Sequence, residues 1–170
     1  LLGKTGAPSV SIAVASGGEV VYAKAYGQAR LAPAKPATTA TRYAIDSNSK
    51  EFTAAAILKL QEQGKLSLDD KVAKYFPDLA SADQVTVRQI LSHTAGYRDY
   101  WPQDYVTIEM GKPTTVRAVL DEWAKKPLDF APGTDWQYSN TGFVIAGAIV
   151  EKVSGQPLAE FLRANIFAPL

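Results

Sequence analysis

The stretch of residues 43–63, YAIDSNSKEFTAAAILKLQEQ, constrains the fold of this chain more than any other segment. The residues after Lys50 are almost continuously apolar, which predicts a helix that is buried on most of its faces. Ser47 and Lys50 lie three positions apart where this helix begins, and residues at that spacing share one helix face. The stretch therefore predicts a buried helix with a serine and a lysine side by side at its start.

The segments before this helix predict a β-hairpin. Apolar and polar or small residues alternate in residues 9–16 and again in residues 19–26, which is the pattern of half-buried strands. Gly17 and Gly18 connect them, and glycines accept the positive φ angles of tight hairpin turns. Residues 29–40 contain two prolines and many small residues, so we expect a surface loop there.

The segments after this helix are predicted to be mostly helical. A capping box formed by Thr86 and Gln89 predicts one helix start, Gly155 predicts a helix end, and Pro157 is expected at the first position of a last helix. The predicted helices cover residues 87–92, 116–124, 141–153 and 157–166. Because strands come first and helices follow, the fold class is α+β with the helices gathered in one region.

The composition sets the domain count and excludes several functions. A chain of 170 residues favours a single domain, with a hairpin and lead-in over residues 1–45 and a helical region over residues 46–170. The absence of cysteine and the single histidine leave too few ligands for an ordinary metal site, and no cofactor is implied. A net charge of +1 gives no reason to expect nucleic acid, and no apolar run approaches the roughly 20 residues of a membrane span.

The pair Ser47 and Lys50 has the chemistry of a nucleophile and its base. A serine hydroxyl is a weak nucleophile until an adjacent base activates it, and a lysine acts as that base where its ammonium form is disfavoured. The positive end of a helix disfavours an ammonium group, and its backbone amides stabilise an oxyanion. The same spacing also fits a capping serine beside a solvated lysine, and spacing alone favours that simpler interpretation.

The context of the pair resembles a known family. Residues 43–53, YAIDSNSKEFT, resemble the nucleophile motif of the serine β-lactamase and penicillin-binding protein superfamily, in the branch of class C β-lactamases, D-stereospecific peptidases and lactamase-like esterases. Tyr138-Ser139-Asn140 resembles the Tyr-x-Asn motif of that branch. Three further segments are similar to the opening hairpin, the Leu-Ser-His-Thr-Ser-Gly turn and the end of the helical region in that family, namely residues 10–27, 91–96 and 166–170.

The resemblance implies a β-lactamase/transpeptidase-like fold and a serine hydrolase mechanism. Ser47 would be the acylated nucleophile, Lys50 its base or proton relay, and Tyr138 a second acid or base. Asn140 would bind the amide or carbonyl of the substrate. The implied substrates are a β-lactam, a D-amino peptide or a short-chain ester, and the implied location is periplasmic or secreted. The alternative is a non-catalytic relative or fragment that serves binding or assembly.

The third motif of the family, Lys or His followed by Thr or Ser and then Gly on an edge strand, does not follow Asn140. Lys4-Thr5-Gly6 matches the triplet but precedes the first predicted strand, and we interpret it as a coincidence. Because a hairpin alone makes an unstable sheet, we expect the chain to be truncated before further strands. The edges of such an incomplete sheet would favour self-association.

Two further sets of residues invite functional interpretations. His93 could be a catalytic base, but its place in a turn favours a structural hydrogen bond. The aromatic cluster between positions 97 and 105 fits a substrate cleft and plain packing equally well, and it consists of Tyr97, Tyr100, Trp101 and Tyr105.

Overall fold

The computed structural model describes residues 2–101 and 111–170, and these form two compact units. The first unit is Leu1–Asp46 and the second is Ser47–Leu170. The predicted aromatic residue Tyr105 lies outside the described residues.

The first unit contains a short helix and a three-stranded antiparallel sheet in the order β1-β2-β3. Its elements are α1 (Leu2–Thr5), β1 (Ser9–Ser16), β2 (Glu19–Arg30) and β3 (Lys35–Pro36). The predicted hairpin is confirmed, since Ser16 pairs with Glu19 across a turn in which Gly17 and Gly18 have φ angles of 61° and 83°. The two-residue glycine turn thus sets which residues of β1 and β2 face each other next to the turn.

The predicted loop over residues 29–40 is wrong at residues 29–30 and 35–36, because β2 runs on to Arg30 and pairs with β3, while residues 31–34 form a turn between them. The cause is local pairing around a turn, in which the Arg30 Nε also donates to the carbonyl oxygen of Pro33 at 3.1 Å. Such a short pair lacks an alternating apolar pattern, so periodicity could not reveal it. The short helix α1 was not predicted either.

Large apolar side chains of the hairpin are exposed. Val20 and Val21 are 65% and 62% exposed and lie at a β-bulge, since Val14 pairs with Tyr22 while Ala15 pairs with Val20. Ile12 and Val14, two positions apart and therefore on one face of the sheet, are also exposed, at 43% and 48%.

The second unit is helical. A 3₁₀ turn (Asp46–Asn48) leads into α2, and the remaining elements are α2 (Ser49–Glu62), a 3₁₀ turn (Val72–Lys74), α3 (Val87–Leu91), α4 (Val116–Glu122), α5 (Asn140–Ser154), α6 (Leu158–Leu162) and a π-helical turn (Arg163–Phe167). The predicted helices are present with shifted ends. The last one departs most: Pro157 precedes its first turn rather than opening it, and α-helical geometry stops at Leu162.

The core of the second unit lies where α2, α3 and α5 pack together, and Ile57, Leu60, Ile90 and Ile149 are fully buried there. The predicted burial of α2 is confirmed for most of its apolar run, since only Leu58 among residues 52–60 is exposed, at 45%. The other exposed residues of this helix lie at its two ends and are Ser49, Glu51, Gln61 and Glu62.

A tight turn after α3 positions the loop that leads into α5. Gly96 has a φ angle of 83°, and a Cβ atom there would collide with the carbonyl oxygen of Phe130. The carbonyl oxygen of Gly96 accepts from the Asp129 amide at 2.8 Å, and that of His93 accepts from the Gln137 amide at 3.0 Å. The residues just before α5 are therefore fixed against the turn.

Candidate active site

The predicted site residues lie at the starts of two helices that pack against each other, α2 and α5. Ser47 lies in the 3₁₀ turn just before α2, and Lys50 lies in the first turn of α2. Asn140 is the first residue of α5. Ser139 caps this helix, because its Oγ accepts from the Gly142 amide at 3.0 Å, and this cap places Tyr138 immediately outside the helix.

The structure brings the four predicted site residues into one hydrogen-bonded cluster of Ser47, Lys50, Tyr138 and Asn140. The Oγ of Ser47 lies 2.7 Å from the Oη of Tyr138. The Nζ of Lys50 donates to Ser47 Oγ at 3.1 Å and to Asn140 Oδ1 at 2.7 Å. Ser47 is exposed while the other three side chains are half-buried, so the hydroxyl is accessible to a substrate from solvent.

Two aromatic rings also hold the Lys50 ammonium. Its Nζ lies 4.8 Å from the ring centroid of Tyr138 and 5.7 Å from that of Phe143. A cation at this distance from an aromatic face is attracted by the ring quadrupole. Phe143 was not predicted as a site residue, although it stands one helical turn after Asn140.

Asp99 completes the cluster and was not predicted. Its Oδ2 accepts from the side-chain Nδ2 of Asn140 at 3.0 Å. Its Oδ1 accepts from the backbone amide of Asn140 at 3.0 Å and from that of Trp101 at 3.2 Å. The only sequence signal for Asp99 is its position three residues after Gly96, in the loop that follows the family-like turn.

His93 supports Tyr138 from the side. Its Nδ1 accepts from the Ser139 amide at 3.1 Å, which confirms the predicted structural hydrogen bond, and its ring stacks on that of Tyr138. Burial lowers the pKa of His93 and the nearby Lys50 lowers it further, against an opposing effect of Asp99. The neutral ring, with its proton on Nε2, is the form that can accept this hydrogen bond.

The aromatic cluster divides between core and site. Tyr97 is 2% exposed and its hydroxyl donates to the carbonyl oxygen of Ala80 at 3.0 Å, so it is a packing residue. Tyr100 is half-buried, and its pKa is raised by burial, then by Asp99 and by Tyr138. Trp101 is exposed. Plain packing therefore holds for Tyr97, and for Tyr100 and Trp101 the substrate cleft stays a prediction beside plain packing.

The Lys4-Thr5-Gly6 triplet lies in a helical turn. Lys4 and Thr5 belong to α1, and the Gly6 amide donates to the carbonyl oxygen of Leu2 at 3.1 Å. The family motif requires an edge strand, so this triplet does not have the geometry of the third catalytic element. Within residues 2–101 and 111–170, no group of three or more acidic, histidine or cysteine side chains could hold a metal ion.

The cluster can move a proton away from a serine that attacks a carbonyl. The Ser47 hydroxyl has the Tyr138 oxygen on one side and the Lys50 nitrogen on the other, both within hydrogen-bond distance. Such an arrangement of a hydroxyl and two proton-accepting or proton-donating groups is the requirement for nucleophilic catalysis by serine.

The β-lactamase family model matches the chain over residues 1–170, so the chain belongs to this family. Members of the family are serine hydrolases. A putative D-alanyl-D-alanine carboxypeptidase of Escherichia coli (strain K12) is 32% identical over 187 aligned positions, which cover 97% of this chain and 42% of that protein.

Two solved structures give the same result for the fold. The octameric penicillin-binding protein homologue from Pyrococcus abyssi matches with a TM-score of 0.84 and 32% identity, over 99% of this chain and 40% of that one. A D-amino acid amidase from Ochrobactrum anthropi SV3 matches with a TM-score of 0.83 and 31% identity, over 98% of this chain and 46% of that one.

The fold is thus the β-lactamase/transpeptidase-like α+β fold expected from the sequence. The chain spans less than half of the length of each of these three proteins. Among the helices that the structure describes, none combines the length and the apolar character needed to cross a membrane.

Proposed function

We propose that the chain contributes the nucleophile, base and second acid or base of a serine hydrolase that forms an acyl-enzyme on Ser47. The observation that carries this proposal is the position of the exposed Ser47 hydroxyl between Tyr138, at 2.7 Å, and Lys50, at 3.1 Å. A capping serine with a solvated lysine would need neither the tyrosine contact nor the half-buried position of Lys50.

Acylation would proceed by attack of Ser47 Oγ on a substrate carbonyl. The bond from Oγ to the carbonyl carbon forms, and the serine proton passes to Lys50 or through Tyr138. The carbon–nitrogen or carbon–oxygen bond to the leaving group then breaks, and Tyr138 supplies the proton that the leaving group needs. Water releases the acyl group in a second step, with the same residues in reverse roles.

The start of α2 would stabilise the negative charge that develops on the carbonyl oxygen. The backbone amide of Ser47 is the candidate donor, and the positive end of the α2 dipole favours an anion there. Asn140 would orient the substrate. Its Oδ1 is engaged by Lys50 and one hydrogen of Nδ2 by Asp99, and the second hydrogen of Nδ2 can donate to a substrate carbonyl.

The proposed substrates are a β-lactam, a D-amino peptide or a short-chain ester. The first two are supported by relatives described as a putative D-alanyl-D-alanine carboxypeptidase, a penicillin-binding protein homologue and a D-amino acid amidase. A hydrolysable ester uses the same attack and leaving-group chemistry. The bacterial carboxypeptidase relative supports a periplasmic or secreted location, which cell fractionation would test.

Mass spectrometry of the full-length protein after incubation with a fluorophosphonate or a β-lactam tests the mechanism. We expect a single adduct on Ser47 that disappears in Ser47→Ala. Ser49→Ala is the matched control, because Ser49 lies two positions away at the start of the same helix, and it should keep the adduct. An adduct that survives Ser47→Ala would disprove the assignment of the nucleophile.

The second candidate function is non-catalytic assembly through the sheet. The exposure of Val20 and Val21 supports it, as does the octameric state of the Pyrococcus abyssi homologue. Light scattering coupled to size exclusion would detect self-association, and Val21→Lys should reduce it. Absence of any Ser47 adduct together with a Val21-dependent oligomer would favour assembly over hydrolysis.

A further inference from the structure

We infer that Asp99 is a positioning residue that fixes the orientation of the Asn140 side-chain amide, so that Asn140 presents its oxygen to Lys50. This inference rests on the proposed function, since it assigns Asp99 a part in holding the proposed base. The carrying observation is that one amide bridges the carboxylate of Asp99 and the side-chain nitrogen of Lys50, with Nδ2 at 3.0 Å from Asp99 Oδ2 and Oδ1 at 2.7 Å from Lys50 Nζ.

The chemistry of the two flanking groups permits only one orientation of the amide. An ionised carboxylate only accepts hydrogen bonds, so Asp99 needs the NH₂ group of Asn140. The Nζ of Lys50 carries hydrogens both as an amine and as an ammonium, and it donates one of them to the amide oxygen. A rotated amide would place its oxygen against the carboxylate and its NH₂ group against Nζ, and both observed contacts would be lost.

Asp99 is itself anchored and cannot simply rotate away. Its Oδ1 accepts from the backbone amides of Asn140 and Trp101, at 3.0 and 3.2 Å. The first of these amides belongs to the start of α5, where the helix dipole also favours a negative charge. The carboxylate therefore holds the backbone of Asn140 with one oxygen and its side chain with the other.

Replacement of Asp99 by asparagine makes a sharp test, because the shape is kept while one acceptor becomes a donor. The introduced oxygen should stay with the two backbone amides, which leaves the introduced NH₂ group facing the NH₂ group of Asn140. Relief of that clash requires Asn140 to rotate its amide. Lys50 would then face an NH₂ group and lose its acceptor.

A swap of the two side chains should restore the acceptor. In the swap variant, Asp99→Asn combined with Asn140→Asp, the introduced NH₂ group at position 99 donates to the introduced carboxylate at position 140. The second carboxylate oxygen then faces Lys50 and accepts from it. A residue that merely stabilises the fold would gain nothing from this exchange.

The experiment compares rates of Ser47 phosphonylation by a fluorophosphonate in the full-length wild-type protein, in each single variant and in the swap variant. This probe needs no amide contact with Asn140, so substrate binding does not obscure the result. We expect Asp99→Asn to slow labelling by about tenfold to a hundredfold, the cost of a displaced catalytic group, and the swap to recover most of the loss. Asp121→Asn is the control, since Asp121 pairs with Arg117 and Lys125 at the exposed surface of α4, and this variant should leave labelling unchanged.

Wild-type labelling in Asp99→Asn, or a swap variant no faster than Asp99→Asn, would overturn the inference while leaving the nucleophile in place. Failure of the wild-type protein to label would instead disprove the proposed function. Crystal structures of the variants test Asp99 in either case. In Asp99→Asn, we expect the contact between Lys50 and Asn140 to be broken. In the swap variant, we expect Lys50 to contact the introduced carboxylate at position 140. An unchanged contact between Lys50 and Asn140 in Asp99→Asn would refute the inference.

Discussion

The imidazole ring of His93 stacks on the phenol ring of Tyr138, with centroids 4.7 Å apart and planes inclined by 29°. The same imidazole accepts the amide of Ser139, the cap of α5. His93 thus connects the proposed acid or base to the start of the helix that carries Asn140. Protonation of Nδ1 would remove this acceptor and place a second cation near Lys50.

Stability should therefore depend on the protonation of His93. Its pKa is lowered in the folded protein from the ordinary value of 6.5, so the unfolded chain binds more protons as the pH falls below that value. We expect the free energy of unfolding to be fully retained above pH 6.5 and to decrease below it, until the pH reaches the lowered pKa. Urea denaturation across this range measures the effect.

His93→Asn is the variant for this test, because His93 has a φ angle of 60° and asparagine tolerates that conformation. The groups that act on the ring are Lys50 and Asp99, and both remain in the variant. We expect a flatter dependence of stability on pH below 6.5. An unchanged slope would show that another group titrates in this window.

Lys50→Ala should slow acylation of Ser47 by orders of magnitude while the fold is retained, because it removes the proposed base at 3.1 Å. Lys59→Ala is the matched control on the same helix, where the lysine pairs with the exposed Glu62 at 3.3 Å. Single-turnover labelling gives the rates, and circular dichroism monitors the fold. Equal rates in the Lys50 variant and the wild type would exclude Lys50 as the base.

Tyr138→Phe should reduce turnover by on the order of a hundredfold to ten-thousandfold, the usual contribution of a positioned acid or base. The substitution removes the hydroxyl at 2.7 Å from Ser47 and keeps the ring that stacks on His93. Stability should therefore change little. Steady-state kinetics with a chromogenic β-lactam or ester would measure the loss, and full activity would contradict the assigned role.

Tyr97→Phe should lower stability and leave the reaction of Ser47 unchanged, the opposite of the effects expected for Tyr138→Phe. It removes the hydrogen bond to the carbonyl oxygen of Ala80 and leaves that oxygen without this donor, which costs about 1 to 3 kcal/mol of unfolding free energy. The rate of Ser47 labelling should not change. A large loss of labelling with wild-type stability would instead place Tyr97 in the site.

Gly96→Ala should destabilise the second unit more than Gly64→Ala. Both glycines have positive φ angles, 83° and 68°, so each substitution carries a conformational cost of about 1 kcal/mol. Only at Gly96 does the added Cβ collide with the carbonyl oxygen of Phe130, whereas Gly64 has open space around it. Thermal or urea denaturation compares the stabilities of the two variants. Equal losses of stability would show that the loop near Phe130 shifts to accommodate the added Cβ at little cost.

The sequence predicted the elements that have a strong local pattern. The glycine pair between β1 and β2 and the capping box of Thr86 and Gln89 both have the expected geometry. Periodicity did not predict features that depend on contacts between segments. Examples are the pairing of Arg30 with Lys35 and the exposure of Leu58 on α2. Local patterns carry no information on which helix face a neighbouring segment will cover.

The candidate site shows the same division. Ser47, Lys50, Tyr138 and Asn140 were found from two motifs, and the structure brings the four together. Asp99 could not be predicted as a site residue, because an aspartate in a loop belongs to no periodic sequence pattern. Its role becomes visible only in the structure, where it lies beside Asn140. Its interaction depends on two segments about forty residues apart in the chain.

The packing of α2 against α5 sets the gap between the hydroxyls of Ser47 and Tyr138, because each helix carries one side of the cluster on its first turn or just before it. Ala56 and Ile145 are completely buried within these helices. A change of side-chain volume at such positions would displace one helix relative to the other and alter that gap without touching any reacting group. If the proposed hydrolysis takes place, its rate therefore depends on the volume of interior residues that never meet a substrate.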